Sequence, residues 1–167
     1  MEFIEQIQKD KYRIVKLNRP KVNALNASFV AEIRSCFKEA EEDDSVKGII
    51  LTGIPNIFSA GLDLVELYEY DRKKMRSFLE AFGSMHVELA SFSKPLICAI
   101  TGHSPAGGTV IAITADYRVM ASGEQYRIGL NEVAVNVQIS NRLIEAYSFW
   151  LGQQIIYCSK CGYEERS

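Results

Sequence analysis

The chain has 167 residues, 47% of them apolar and 24% charged, which fits one folded domain with a real core and rules out wholesale disorder. Nineteen basic residues against twenty-one acidic ones give a net charge of −2, so there is no basic excess to hold a nucleic-acid backbone. No apolar run approaches the eighteen or so residues that span a bilayer, the N-terminus MEFIEQIQKD lacks the basic head and apolar stretch of a signal peptide, and the expected location is cytoplasmic.

In chain order, Glu2–Gln8 and Tyr12–Asn18 alternate apolar and polar residues around Lys9-Asp10-Lys11 and predict a hairpin. Arg19-Pro20-Lys21 stops strand pairing, and Val22–Asn26 is a short loop. Phe29, Val30, Ile33, Phe37 and Ala40 share one face of a helix predicted from Ala27 to Asp43, with Asn26 as its N-cap. The runs KGIILT (47–52) and PLICAITG (95–102) are short, apolar and β-branched, the mark of buried parallel strands. Between them, Gly53–Ala60 reads as loop and Asp63–Phe92 as a long helical stretch interrupted near Gly83. Ser104–Gly108 reads as a turn, Thr109–Ala115 as a helix and Tyr117–Ala121 as a strand. Strand–helix alternation of this kind predicts an α/β fold with parallel pairing. Cys36 and Cys98 fall in apolar surroundings and read as buried free thiols. Cys158 and Cys161 form a single CxxC with neither a second pair nor a strand–helix context, so no metal site is expected.

Two strand-to-helix turns carry the chemistry: Phe58-Ser59-Ala60-Gly61-Leu62-Asp63 and Gly102-His103-Ser104-Pro105-Ala106-Gly107-Gly108. Ligands bind at the carboxyl ends of parallel strands, and small residues there let a substrate approach the backbone. Two such turns on neighbouring strands can aim two N–H donors at one oxygen, as an oxyanion hole requires. Tight turns alone would explain the glycines equally well. A serine nucleophile at Ser104 fits poorly. The residue after it, Pro105, has no N–H for an oxyanion hole, and the only histidines are His86, upstream, and His103, directly adjacent.

With their order and spacing, Asn18-Arg19-Pro20-Lys21-Val22-Asn23-Ala24-Leu25, FSAGLDL (58–64) and SPAGGTVIAITADYRVMA (104–121) resemble the crotonase, or enoyl-CoA hydratase/isomerase, superfamily. The resemblance covers residues 1–157, and Tyr126–Glu132 (YRIGLNE) is most similar to mitochondrial-type Δ3,Δ2-enoyl-CoA isomerases. It implies a crotonase-like ββα spiral core over 1–157 and an acyl-CoA thioester substrate, with coenzyme A as part of that substrate and no separate cofactor. The backbone N–H groups of Leu62 and Gly107 would form the oxyanion hole, and Glu132 would be the catalytic carboxylate. Val22, Ala24, Ala60 and Asp63 would contact the coenzyme A portion, with Lys21 a candidate for its phosphates. The first of the two glutamates that hydratases use to hold water is matched here by Val110, which disfavours hydration. Asp116 reads as a structural cap or hydrogen-bonding group.

The resemblance stops at Tyr157. Ser140–Gln154 still reads as a helix with Leu143, Ile144, Tyr147, Trp150 and Leu151 on its apolar side, but 158–167 is an unmatched tail. The family's later helices, which close the acyl pocket and build a trimer, have no counterpart, and Asn136-Val137-Gln138 departs from the small apolar residues of the isomerases. The expectation is therefore an oligomeric enoyl-CoA isomerase. A hydratase or other enolate-forming enzyme is the alternative within that class, and an inactive fragment that keeps the core and binds acyl-CoA is the alternative outside it.

Overall fold

The computed structural model describes residues 1–130. Glu132, Asn136–Gln138, the 140–154 helix, the boundary at 157 and the two terminal cysteines lie outside the described residues. Strands β1 (Ile4–Lys9) and β2 (Tyr12–Leu17) form the expected hairpin, turning at Asp10 with φ 51°. Helix α1 (Ala27–Glu42) follows the Asn26 cap, whose Oδ1 accepts the Phe29 N–H at 2.9 Å. The rest runs β3 (Gly48–Thr52), β4 (Asn56–Ile57), α2 (Leu64–Tyr68), α3 (Arg72–Ala90), β5 (Leu96–Ile100), β6 (Gly102–Pro105), α4 (Gly107–Ile113), β7 (Tyr117–Met120) and β8 (Ile128–Gly129).

These strands make two sheets, ordered β1-β2-β3-β5-β7 and β4-β6-β8, and every pairing except β1–β2 is parallel. The pairs β3/β4, β5/β6 and β7/β8 each deposit one strand in each sheet, and helices separate one pair from the next. The chain is thus a ββα spiral, the expected α/β class. Val15, Leu17, Ile49, Leu51, Leu96, Cys98 and Ile100 point from the large sheet into the core, against Phe29, Val30, Ile33, Phe37, Met85 and Leu89 of α1 and α3. The continuous apolar strands come from this burial, because a parallel sheet needs cover to keep its backbone dry. Burial pushes the thiols of Cys36 and Cys98 up to about 12, so both are inert packing groups at neutral pH.

Three local expectations need correction. The 63–92 stretch breaks at Glu69–Asp71 and not at Gly83, which lies inside α3. Asp63 caps α2 by accepting the Glu66 N–H at 3.1 Å, and Asp71 caps α3 by accepting the Lys74 N–H at 2.7 Å. A second N-cap restarts a helix, whereas one interior glycine costs only about 1 kcal/mol. The 53–60 loop contains β4, and the 104–108 turn begins as β6 with α4 already under way at Gly107. Strands of two to four residues are too short to show alternation; pairing with distant partners creates them.

His86 of α3 packs edge-on against Phe82, with ring centroids 4.3 Å apart, and its Nε2 has no hydrogen-bond partner among the described residues. Burial holds its pKa down at about 4, against an ordinary 6.5. The unfolded chain therefore takes up a proton near pH 6.5 that the fold refuses until about pH 4. Stability is unaffected above that window and falls as pH drops through it, by about 3 kcal/mol. Urea denaturation of wild type and His86→Phe between pH 7 and 4 checks this: the wild type should lose that much more than the variant, and parallel pH profiles would contradict it.

Candidate active site

Three segments converge at the carboxyl ends of the strands: the 18–25 loop, the 58–63 turn and the 102–108 turn. Asn23 pins the first to the second. Its Oδ1 accepts the Arg19 N–H at 2.7 Å, and its Nδ2 donates to the carbonyls of Leu17 (3.1 Å) and Phe58 (2.9 Å). It is fully buried at φ 51°, a conformation that asparagine tolerates better than most residues. Asn23→Ala leaves three buried backbone groups unpaired, and about 3 kcal/mol of stability should be lost. Chemical denaturation reads this directly, and a loss below about 1 kcal/mol would mean that other groups take over the bonds.

Leu25 and Leu62 form an isolated parallel bridge. Leu25 N–H donates to the Gly61 carbonyl at 2.7 Å, and Asp63 N–H donates to the Leu25 carbonyl at 2.9 Å. The bonds come from the residues flanking Leu62, so the Leu62 N–H points away from Leu25, and it donates to no described residue. The Gly107 N–H, at the first position of α4, likewise donates to no described residue.

The turn that carries Leu62 and the one that begins α4 touch at Gly61 and Gly107. A methyl added to Gly61, which sits at φ 85°, would lie 3.1 Å from Gly107 N and 3.2 Å from the Pro105 carbonyl oxygen. One added to Gly107 would lie 3.3 Å from Gly61 Cα, 3.1 Å from Leu25 Cδ1 and 3.5 Å from Phe82 Cζ. Leu25 and Phe82 therefore give Gly107 apolar neighbours. Ala106 turns the chain into α4 at φ 48°, and its N–H donates to the Gly129 carbonyl at 2.9 Å. Thr109 Oγ accepts the Gly129 N–H at 2.8 Å and donates to the Ser104 carbonyl, tying β8 to α4.

Of the other expected site residues, Val22, Ala24 and Ala60 are half-buried beside the bridge, where the Ala60 N–H donates to the Val22 carbonyl at 2.9 Å. The Asp63 carboxylate is engaged within the protein: Oδ1 caps α2, and Oδ2 pairs with Arg19 at 2.8 Å. Lys21 is exposed, and Val110 is 2% exposed, in the core. Asp116 accepts the Leu96 N–H at 2.8 Å, the structural role expected of it. Ser104 Oγ is buried with no partner among the described residues, while the neighbouring His103 takes the Arg127 N–H at 3.3 Å, so Ser104 pairs with neither histidine. The depressions of about 440 Å3 on α3 and about 590 Å3 between α1 and α3 contain neither donor. No group of three or more metal-ligating side chains occurs among the described residues, and no helix there is long and apolar enough to cross a membrane.

The chemistry missed from the sequence is a polar cluster behind the bridge. Glu66 accepts from Asn26 Nδ2 (2.6 Å), Tyr70 Oη (2.7 Å) and Arg19 Nη2 (3.2 Å), bonds that hold its carboxyl below the usual carboxylate range, the Asn26 bond foremost. The Asp63-x-x-Glu66 spacing resembles a capping box and could have marked the helix start, although Glu66 turns to these partners instead.

A spiral of ββα turns that lays successive strands into two sheets defines a class of protein, and comparison with known families agrees. The enoyl-CoA hydratase/isomerase family model matches residues 9–142, and the chain belongs to that family, the crotonase superfamily. It is 40% identical over 125 residues to the rat mitochondrial enoyl-CoA delta isomerase 1, covering 74% of this chain and 43% of the rat protein. It is 31% identical over 156 residues to the short-chain-enoyl-CoA hydratase of Clostridium acetobutylicum, covering 90% of this chain and 59% of that one. The human mitochondrial delta3-delta2-enoyl-CoA isomerase structure superposes with a TM-score of 0.85 at 31% identity, over 87% of this chain and 58% of that one. The chain thus spans about two-fifths of the rat isomerase and less than two-thirds of the other two.

Proposed function

We propose that this chain carries the catalytic core of an enoyl-CoA isomerase, shifting a double bond of an acyl-CoA thioester from the 3- to the 2-position. The observation that carries this reading is the pair of N–H groups, Leu62 and Gly107, that have no partner among the described residues and sit on backbones held in contact through Gly61. Removing a proton alpha to a thioester places negative charge on the carbonyl oxygen. Two preorganised donors stabilise that charge, each contributing on the order of 3–4 kcal/mol in a dry site. Apolar Leu25 and Phe82 beside Gly107 support the dryness.

Glu132 is the proton shuttle in this reading. It takes the proton from the carbon alpha to the carbonyl and returns it two carbons further along, so no water and no second acid are needed. Two residues separate Gly129, whose carbonyl takes the Ala106 N–H, from Glu132, so three Cα–Cα steps of covalent reach keep the two Cα atoms within about 11 Å. Val110, where hydratases resemble one another in carrying a glutamate, is a buried aliphatic that can neither hold nor activate water. Val22, Ala24 and Ala60 present backbone to the coenzyme A portion. With its carboxylate engaged by Arg19, Asp63 contributes to that surface through its main chain. Assembly into a homo-oligomer, a trimer as in the family, belongs to this reading.

The test is incubation of the chain with a 3-enoyl-CoA and with a 2-enoyl-CoA. Appearance of the conjugated 2-enoyl product, with no hydroxyacyl product from the second substrate, is the expected result. Water addition as fast as isomerisation would overturn the use made of Val110. Acyl-CoA binding without turnover would instead establish a core that binds the thioester and does not convert it.

A further inference from the structure

We propose that Arg19 is a positioning residue for the Leu62 donor, acting as a staple across the Leu25–Leu62 bridge. The inference rests on Leu62 serving as an oxyanion donor, the reading given above. The bridge has only its two hydrogen bonds, because neither side continues into a ladder. On the Leu62 side the chain passes at once into α2, whose five residues are too few to hold a fixed direction by themselves. Ahead of the bridge, Asn23 and the Ala60–Val22 bond already tie the two segments, so the side that needs holding is the one leading from Leu62 into α2.

Arg19 is placed to hold that side. Its Nη1 donates to the Ala24 carbonyl at 2.8 Å and lies 2.8 Å from Asp63 Oδ2. Ala24 immediately precedes Leu25 and Asp63 immediately follows Leu62, so one nitrogen grips both sides of the bridge one residue from the donor. Nη2 reaches Glu66 Oε2 at 3.2 Å and thereby also fixes α2. The guanidinium lies 5.6 Å from the centroid of the Phe3 ring, and the Phe3 N–H is tied to Glu32 of α1 at 2.9 Å. Both Arg19 and Asp63 side chains are mostly covered, at 14% and 17% exposure, so water competes little for the pair. A planar fork with several donors suits this task, and an ammonium cannot reproduce it. The same contacts carry the 20–24 loop, so the surface proposed for coenzyme A and the oxyanion donor move as one body.

The experiment compares the full chain with Arg19→Gln and Arg19→Lys, using steady-state isomerisation and the infrared carbonyl stretch of a bound enoyl-CoA labelled with carbon-13 at the thioester carbon. A donor displaced by about 1 Å costs on the order of 100-fold in rate. Arg19→Gln should therefore lower kcat by about that factor, change KM far less, and lose much of the downward carbonyl shift seen in wild type. Arg19→Lys, which reaches Asp63 but cannot fork, should recover part of both. A lowered melting temperature with wild-type kcat and carbonyl shift would overturn the proposal, leaving Arg19 a purely structural residue. Should Arg19→Gln fail to fold, Asp63→Asn carries the same test, since asparagine keeps the α2 cap and removes only the charge facing Arg19. If wild type neither turns over nor shifts the carbonyl of the bound ester, the reading of the site itself falls and this inference with it.

Discussion

Gly61→Ala is expected to abolish catalysis and to weaken the fold, while Gly83→Ala leaves activity intact. At Gly61 the added methyl meets three neighbours at once: Ala106 Cβ at 3.0 Å, Gly107 N at 3.1 Å and the Pro105 carbonyl oxygen at 3.2 Å. Two of these are backbone atoms and cannot rotate away. The φ of 85° adds about 1 kcal/mol or more for any residue with a Cβ. Relief comes only by pushing the two turns apart, which separates the Leu62 and Gly107 donors. Loss of one such donor costs about 10²–10³ in kcat, and both are displaced here. At Gly83, in the interior of α3, an added methyl meets nothing within 4 Å, so alanine should stabilise the chain by up to about 1 kcal/mol. Melting curves and isomerase rates of the two variants make the comparison. Equal effects at the two glycines would show that contact between the turns does not set the site.

Glu132→Gln should remove turnover and leave acyl-CoA binding in place. Glutamine keeps the size and polarity of the side chain but cannot accept a proton from carbon, so at least about 10³-fold in kcat should disappear. Because the proposed oxyanion donors are backbone groups, the variant should still polarise the bound thioester carbonyl. Rate and carbonyl shift therefore separate: Gly61→Ala loses both, Glu132→Gln only the rate. A glutamine variant that retains more than a tenth of the wild-type rate would assign the proton transfer to another group.

The part of the proposed site legible in the sequence is its two small-residue turns. FSAGLDL and SPAGG advertise themselves because small residues at a turn are a local requirement, written next to the donors they serve. Asn26 as a cap and the hairpin at Lys9–Lys11 are local in the same sense, and both stand in the structure. The break in the 63–92 stretch falls at Glu69–Asp71 and not at Gly83, because Asp63 and Asp71 cap separate helices and a single interior glycine does not end one. The short strands β4, β6 and β8 exist only through one another: Asn56–Ile57 pairs with Gly102–His103, and Ser104–Pro105 with Ile128–Gly129.

The sequence by itself determined the α/β class, the family resemblance and the residue types at the two turns, because periodicity, glycine placement and capping act over a few neighbouring residues. Only the tertiary structure decided that Gly61 touches Gly107, that the Asp63 carboxylate is engaged by Arg19, and that Glu66 gathers Asn26, Tyr70 and Arg19. Apart from Tyr70, four residues from Glu66, those partners lie forty to forty-seven residues apart, and packing of the spiral's successive turns, not local preference, brings them within bonding distance.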